Sequence, residues 1–236
     1  MSERLRYINA IDRLIRDLKA NGIWDDLGAM CLFVGGEYEN CFVPIKRGMP
    51  TPTPFNFASG QHNRKTGLVG NGTDMYIDSN RNNNADGRDD QAMGVWVSAA
   101  PPAGDVFEAY MGAGNPANTG ATHFGVNVGQ DNRFARNRRG LAGAAGNTLN
   151  GGGDAIGYIG MARSVSNEFD FITESIEEVM SSTSEVPFNG NVYVFDRNGT
   201  SIPTRARIAA YHIGPAITLS VMDTILAEFM ARVAAA

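Results

Sequence analysis

The chain has 236 residues, of which 43% are hydrophobic and only 19% charged, with 28 glycines and a formal net charge of −5. This composition excludes a disordered chain, and the acidic balance gives no electrostatic basis for binding nucleic acid or inserting into an anionic membrane. Many glycines and asparagines are typical of short strands joined by turns. No apolar run is long enough to span a bilayer, so we expect one soluble, mostly-β domain without a classical export signal.

Residues 3–20 carry the clearest helical pattern. Apolar side chains recur at steps of three and four residues, the period of a helix with one buried face; they are Leu5, Ile8, Ile11, Ile15 and Leu18. The favoured partner for this stripe is the protein's own sheet, and a helical oligomer seam is the sharper alternative. We therefore divide the chain into residues 1–22, an amphipathic helix for docking or oligomerisation, and residues 23–236, a single sandwich that ends in a helix at 220–233.

The next segment contains both cysteines and a proline-rich connector. Residues 29–34 predict a buried strand or short helix, and the alternate prolines of 49–54 predict an extended edge or connector, because proline donates no backbone hydrogen bond. A cross-strand pair of Cys31 and Cys41 is one interpretation. We favour two free, buried thiols, which are ordinary in a reducing cytoplasm.

The central stretch, residues 67–98, contains the most polar loop of the chain. Two runs rich in β-favouring residues, at 68–78 and 92–98, predict strands on either side of it. The loop itself, residues 79–91, has hardly an apolar atom. We therefore expect it in water or against a polar partner.

This loop is the candidate ligand site. Its candidate ligand residues are Asn84, Asp86, Asp89 and Asp90, together with Tyr76 from the preceding strand. Carboxylate and amide oxygens are the ligands that Ca²⁺ prefers, although Arg88 would oppose a cation. The same groups can hydrogen-bond sugar hydroxyls while Tyr76 or Tyr110 stacks on a sugar face. The competing interpretation is an ordinary exposed turn, with the tyrosines in the core. Calcium is the only cofactor that we consider, and we assign none.

Residues 106–111 and 123–128 predict two further strands by their alternation. The arginine-rich run 133–139 could contact phosphates or a sulfated or acidic glycan. A solvated strand and loop, neutralised by nearby carboxylates, is the favoured interpretation. Residues 140–153 have no periodicity and predict a loop.

The last third of the chain is the most regular. Residues 155–163 and 168–173 predict one pair of strands, and 190–200 with 205–214 predict another, joined through the Asn-Gly turn signal. The closing helix at 220–233 has Ser220 as its predicted cap. Its predicted apolar face consists of Met222, Ile225, Leu226, Phe229 and Val233.

Catalytic signatures are scarce. His62, His123 and His212 are far apart and have no zinc-ligand spacing, and no serine lies in a nucleophile elbow. Glu168 and Asp170 share one face of a strand, as the two carboxylates of a sandwich glycosidase can do. An ordinary polar strand face is strongly favoured, so we predict a protein without enzymatic activity.

The order of these segments resembles a family of tailed-bacteriophage virion proteins. The resemblance is carried by residues 18–27, 67–78, 192–199, 210–214 and 219–233. It spans nearly the whole chain, but its motifs are structural rather than catalytic. It implies a concanavalin A-like, laminin G-like jelly-roll sandwich with an N-terminal and a C-terminal helix.

The resemblance also implies a place in the virion, with synthesis in the host cytoplasm. It implies a tail-fibre or tail-tip component that presents loops for host-surface glycan recognition. Its partners would be copies of itself, often three, and other virion proteins. A capsid-decorating or cement protein is the first alternative, and a sandwich-fold glycan hydrolase is the second.

Overall fold

The computed structural model describes residues 2–102, 104, 107–127, 132–139, 147–150 and 155–236. The helices are α1 (Glu3–Ala20), α2 (Ile23–Asp26) and α3 (Leu219–Ala234), with 3-10 turns at Tyr38–Phe42 and Ser59–Gln61. The strands in chain order are β1 (Ala29–Leu32), β2 (Thr53–Phe55), β3 (His62–Asn63), β4 (Gly67–Val69), β5 (Tyr76–Asn82), β6 (Gln91–Ala99), β7 (Phe107–Ala113), β8 (Ala121–Asn127), β9 (Asn132–Arg139), β10 (Asn147–Asn150), β11 (Gly157–Arg163), β12 (Glu168–Thr173), β13 (Ile176–Ser181), β14 (Asn191–Val194), β15 (Arg197–Asn198) and β16 (Arg207–Gly214).

The strands form two sheets. Sheet A has the order β13-β12-β11-β6-β16-β4-β3, with β1 also beside β16. Sheet B has the order β10-β9-β8-β7-β14-β5-β2, with β15 also beside β7. Neighbouring strands are antiparallel except for β15 and β7. The predicted mostly-β sandwich with a helix at each end is therefore confirmed.

Two apolar cores hold three layers together. The first lies between the sheets and includes Val95, Tyr110, Phe124, Phe171 and Tyr211. The second lies on the other side of sheet A, beneath α1 and α3, and includes Leu14, Leu18, Met222, Leu226 and Phe229. Alternate residues of the sheet A strands enter one core or the other, because successive side chains of a strand point to opposite faces. Sheet A is thus covered on both sides, with helices on the outside and sheet B on the inside.

The first helix packs against the rest of the fold through a face that only partly overlaps the predicted one. Its buried residues are Tyr7, Ala10, Leu14 and Leu18, and α1 lies against α3. Of the predicted stripe, Leu5 and Ile8 are 44% and 52% exposed. Ile8 borders a groove of about 620 Å³ together with Val43 and Ile45. The docking or oligomerisation role of residues 1–22 stays a prediction.

Two strand predictions were wrong in the same way. The run 68–78 is not one strand, because β4 belongs to sheet A and β5 to sheet B. The runs 190–200 and 205–214 do not pair, because β14 belongs to sheet B and β16 to sheet A. Phe195, with φ 70°, has the left-handed backbone that turns the chain between them. In both cases the connection carries the chain across the sandwich rather than along one sheet.

The cysteine and connector predictions are confirmed. Cys31 and Cys41 are free and buried, and burial raises the pKa of each thiol to about 12. Residues 29–34 contain β1, and the proline-rich connector leads into β2, the last strand of sheet B. Because proline has no backbone N–H, its place in an edge strand costs the sheet interior no hydrogen bond.

The C-terminal elements also follow the prediction, with three differences. β11 and β12 pair antiparallel, and all five predicted apolar residues of α3 are buried. The residue that caps α3 is Thr218 rather than Ser220, and its side chain makes no capping hydrogen bond. β13 was not predicted, and β10 lies inside the predicted loop 140–153, whose other residues lie outside the described ones. Among the described helices, none has the length and apolar character needed to cross a membrane.

Candidate functional site

The outward face of sheet B differs from that of sheet A because α1 and α3 do not cover it. In β5, Ile77 and Ser79 are buried, whereas Tyr76 and Asp78 are half-buried and Asn80 is exposed. The same alternation in β14 buries Val192 and Val194 and turns Asn191 and Tyr193 outward. The side chains that these strands present to solvent are therefore aromatic rings, amides and a carboxylate.

Three aromatic rings stack in a line on this face, and we call Phe55, Tyr76 and Tyr193 the aromatic row. The ring centroids of Phe55 and Tyr76 are 4.5 Å apart at 13°, and those of Tyr76 and Tyr193 are 4.5 Å apart at 19°. The three residues come from the neighbouring strands β2, β5 and β14, and Phe55 is the register partner of Tyr76. Phe55 is 38% exposed. Cross-strand pairing thus assembles an apolar surface from residues far apart in the sequence.

This geometry changes the role predicted for Tyr76. Both faces of its ring are covered, one by Phe55 and the other by Tyr193, so it cannot itself stack on a sugar. The outer ring faces of the row are those of Phe55 and Tyr193 at its two ends. Tyr110, the other predicted platform, is fully buried in the core between the sheets. Stacking on a planar ligand surface would therefore use Phe55 or Tyr193.

A line of polar groups runs beside the aromatic row, and we call Thr53, Asp78, Asn80 and Asn191 the polar row. Asp78 is the register partner of both Thr53 and Tyr193. Its Oδ1 accepts a hydrogen bond from the backbone N–H of Asn80 at 2.8 Å, and its Oδ2 accepts one from Nδ2 of Asn191 at 3.2 Å. Nδ2 of Asn80 donates to Oγ1 of Thr53 at 2.9 Å. These hydrogen bonds fix the carboxylate and the amides in place, so hydroxyl groups of a ligand would meet oriented donors and acceptors.

The predicted loop site is built differently. The structure extends β5 to Asn82 and begins β6 at Gln91, which leaves residues 83–90 between them. The carboxylate of Asp86 forms an ion pair with Arg81, and Oδ1 of Asp90 accepts from the backbone N–H of Ala216 at 2.8 Å. Asn84 is exposed and Asp89 is half-buried. Each aspartate therefore lies in its own surroundings, and their oxygens do not converge on one point.

Two buried arginines lie behind this loop. Arg138 and Arg163 are fully buried, and burial lowers the pKa of each guanidinium to about 10, with the nearby charges of Asp86 on Arg138 and Asp89 on Arg163 acting in the opposite direction. Arg138 donates to the carbonyl oxygen of Asn83. The predicted solvated character of residues 133–139 is therefore wrong, because Arg138 closes the base of the loop.

Arg163 links the two sheets at this end of the sandwich. Its guanidinium donates to the carbonyl oxygen of Asn137 at 2.8 Å and 3.1 Å. It also donates to carbonyl oxygens of Val165, Glu168 and Ser182 at 2.9–3.1 Å. The N–H donors of the Arg163 guanidinium thus find their acceptors in backbone carbonyl oxygens and do not need a carboxylate.

Calcium binding at this loop stays a prediction. A hard divalent cation needs six to eight converging oxygens, whereas the carboxylate of Asp86 is paired with Arg81 and Oδ1 of Asp90 accepts from a backbone N–H. In the described part of the chain, no three His, Cys, Asp or Glu side chains are grouped for a metal ion. The loop is better described as a structural closure of the sandwich.

The predicted ligand residues lie at two different places in the structure. Tyr76 is the first residue of β5 and Asn84 follows its end at Asn82. Six residue steps along a strand cover about 20 Å. The structure therefore separates Tyr76, which belongs to the aromatic row, from the four loop residues.

The two carboxylates considered for hydrolysis lie on the helix side of sheet A. Asp170 lines a depression of about 410 Å³ near the start of α3 together with Asp26 and Glu177, whereas Glu168 does not line it. Burial raises the pKa of Asp170, and the charge of Glu168 raises it further. The pair lies on the opposite side of the sandwich from the aromatic row.

Sequence reasoning missed most of the residues on this face. Phe55 directly follows the proline-rich connector 49–54, and Tyr193 was one apolar position of a regular strand. Asp78 and Asn191 are 113 positions apart. The usable signal was alternation, which places Tyr76 with Asp78 and Asn191 with Tyr193, but it does not show which strands are neighbours.

Solved structures share this architecture at low sequence identity. Domain 4 of AbnA, a GH43 extracellular arabinanase from Geobacillus stearothermophilus, in complex with arabinotriose, matches with a TM-score of 0.52 and 12% identity, covering 85% of this chain and 98% of that one. The binding domain of botulinum neurotoxin serotype D matches with a TM-score of 0.59 and 8% identity, covering 86% and 51%. A Trypanosoma rangeli sialidase mutant displaying trans-sialidase activity matches with a TM-score of 0.58 and 10% identity, covering 92% and 38%.

These likenesses define the chain as a jelly-roll-like β-sandwich with added helices, as predicted. The chain spans about half or less of the toxin and sialidase chains. No protein-family model matches the chain, and no curated protein matches its sequence.

Proposed function

We propose that this protein recognises glycans, without catalysis, through the outward face of sheet B. The observation that carries this proposal is the aromatic row lying beside the polar row. Sugar rings have apolar faces that stack on aromatic rings and hydroxyl edges that hydrogen-bond to carboxylates and amides. The structural likeness to an arabinanase domain solved with arabinotriose supports the same class of ligand.

The test is binding of the purified protein to a glycan array, followed by titration of the best ligand. Replacing Phe55→Ala or Tyr193→Ala should weaken binding about tenfold, because each removes an outer ring face of the row. Val179→Ala is the matched control, since Val179 is 62% exposed on a sheet A strand. Equal affinity of all three variants and the original protein would count against this face, and no binding to any glycan would count against the function.

We further propose that the protein is a component of a tailed-bacteriophage virion, as a tail-fibre or tail-tip subunit that associates with copies of itself. The order of sequence segments described above supports this context. A capsid-decorating or cement role is the alternative. Gold-labelled antibody on purified particles would distinguish them, because label at the tail supports the proposal, label over the capsid supports the alternative, and unlabelled particles would contradict both.

A further inference from the structure

A second group of side chains lies beside the aromatic row on the outward face of sheet B. His123 in β8 points away from the core between the sheets, and its register partners are Arg136 in β9 and Gly112 in β7. Gly112 is in turn the register partner of Tyr193 in β14 and of Arg197 in β15. We call Arg136, His123 and Arg197 the Arg-His cluster. Sheet register therefore places this cluster next to Tyr193, one end of the aromatic row.

The charges in this cluster repel one another. Burial lowers the pKa of Arg197 to about 10, the positive charge of Arg136 adds to the effect, and the charge of Asp196 opposes it. Burial and the charge of Arg139 lower the pKa of Arg136. The pKa of His123 is lowered well below its ordinary value by burial and by the charges of Arg197 and Arg136. Placing like charges together in a partly buried position is unfavourable unless something compensates it.

The cluster also has unused hydrogen-bonding nitrogens. Nη1 of Arg136, Nε of Arg197 and Nδ1 of His123 are buried and have no hydrogen-bond partner within the described residues. His123 and Arg197 are only 3% and 6% exposed. A buried donor without an acceptor costs free energy, so a cluster of such groups calls for an acceptor from water, an ion or a ligand.

Asp196, the carboxylate whose charge acts on Arg197, does not supply these acceptors. Oδ1 of Asp196 accepts from the backbone N–H groups of Arg197 and Ile202, each at 2.7 Å, and its Oδ2 accepts from Oγ of Ser201 at 2.8 Å. The guanidinium of Arg197 instead donates to the carbonyl oxygen of Asn115 at 2.7 Å. Both oxygens of Asp196 are therefore used in shaping its own turn.

We propose that the Arg-His cluster binds the carboxylate or sulfate group of an acidic glycan whose sugar rings contact the Tyr193 end of the aromatic row. This inference rests on the proposed function and names the class of ligand. Guanidinium groups suit such oxyanions because their planar N–H donors match paired oxygens. A single anionic group on a sugar suits a chain of net charge −5 better than a polyanion such as nucleic acid.

The experiment compares ligands that differ in the acidic group. The probes are an oligogalacturonate, its methyl ester and a sulfated galactan oligosaccharide, titrated by calorimetry at fixed ionic strength. Arg136→Gln removes one charge from the half-buried member of the cluster. Arg16→Gln removes the same charge from an exposed pair with Asp12 on α1 and is the matched control.

We expect at least one acidic probe to bind about tenfold more tightly than the methyl ester, and Arg136→Gln to remove that difference while Arg16→Gln preserves it. The stronger acidic probe distinguishes carboxylate from sulfate. Equal binding of the acid and the ester, or equal effects of the two variants, would overturn the site while leaving glycan recognition intact.

The anion site is also measured without sugar, as the rise in melting temperature that inorganic sulfate gives over chloride at equal ionic strength. Stabilisation by sulfate that is lost in Arg136→Gln but kept in Arg16→Gln supports the anion site. It does so even if no glycan binds, because the absence of glycan binding would overturn only the proposed function. If sulfate and chloride act equally and no acidic probe is preferred, the inference is wrong. Preferential binding of an oligonucleotide over both glycans would overturn it too.

Discussion

The two outward faces of the sandwich are built from the same strand alternation and serve different purposes. On sheet A the outward residues continue into a second apolar core beneath α1 and α3. On sheet B the outward residues include the aromatic row, the polar row and the Arg-His cluster. The difference shows that the helices decide which outward face becomes part of a core, because α1 and α3 cover only the face of sheet A.

Histidines on the two faces differ in whether they have a hydrogen-bond partner within the fold. Under α3, the hydroxyl of Tyr158 and Nε2 of His212 are 2.7 Å apart, and both residues are fully buried. A Cβ at Gly94 would lie 2.6 Å from the Tyr158 hydroxyl, so the glycine makes room for this pair. His212 is thus paired within the fold, whereas His123 on the other face retains an unpaired Nδ1 in the described structure.

The largest expected effect is on the covered face. Replacing Phe229→Ala, which removes a 2% exposed ring from α3, should lower the free energy of unfolding by about 3–5 kcal/mol, because it leaves a cavity in the second core. Chemical denaturation measures it. Glu228→Ala, on the exposed side of the same helix, breaks only the surface pair with Arg232 and should cost less than about 1 kcal/mol. Similar losses for the two variants would mean that α3 does not cover sheet A.

A smaller effect is expected from pH. Burial lowers the pKa of His212 to about 3 in the folded protein, below the ordinary value of 6.5. Between these values the unfolded chain binds the extra proton, so the stability falls as the pH drops below 6.5. For His212 alone, the loss between pH 7 and pH 5 is about 2 kcal/mol.

His212→Gln isolates this contribution, because glutamine keeps a hydrogen-bond acceptor for Tyr158 and does not titrate. Unfolding of the variant at pH 7 and pH 5 should show a difference smaller by about 2 kcal/mol than that of the original protein. The loss of stability at low pH that remains in the variant includes a contribution from His123, whose pKa is also lowered. An unchanged pH dependence would show that His212 is hydrated or protonated in the folded state.

The smallest effect on stability is expected on the uncovered face. Phe55→Ala should change the free energy of unfolding by about 1 kcal/mol or less, since the ring is partly exposed and loses mainly its stacking on Tyr76. The same variant should weaken glycan binding, so affinity and stability separate on sheet B. A loss of several kcal/mol would mean that the aromatic row holds the fold together and would weaken its assignment as a binding surface.

Local patterns in the sequence predicted the elements well and their neighbours poorly. The bounds of α1, the buried face of α3 and the pairing of β11 with β12 could all be predicted, because helical periodicity and adjacent strands are local features. The candidate site could be predicted only in part. Tyr76 was identified, but its stacking partners were not. Phe55 belongs to β2, which precedes β5 in the chain, and Tyr193 belongs to β14, which follows β5 at a long distance in sequence.

The sequence by itself therefore determined a mostly-β sandwich with terminal helices, free buried thiols and a proline-rich edge strand. Only the tertiary structure decided that residues 68–78 cross from one sheet to the other, that the loop aspartates are paired or set apart, and that Arg136 and Arg197 lie on one face beside Tyr193. The physical reason is that alternation fixes the face on which a side chain lies, while the neighbours on that face depend on strand order and register across the whole sheet.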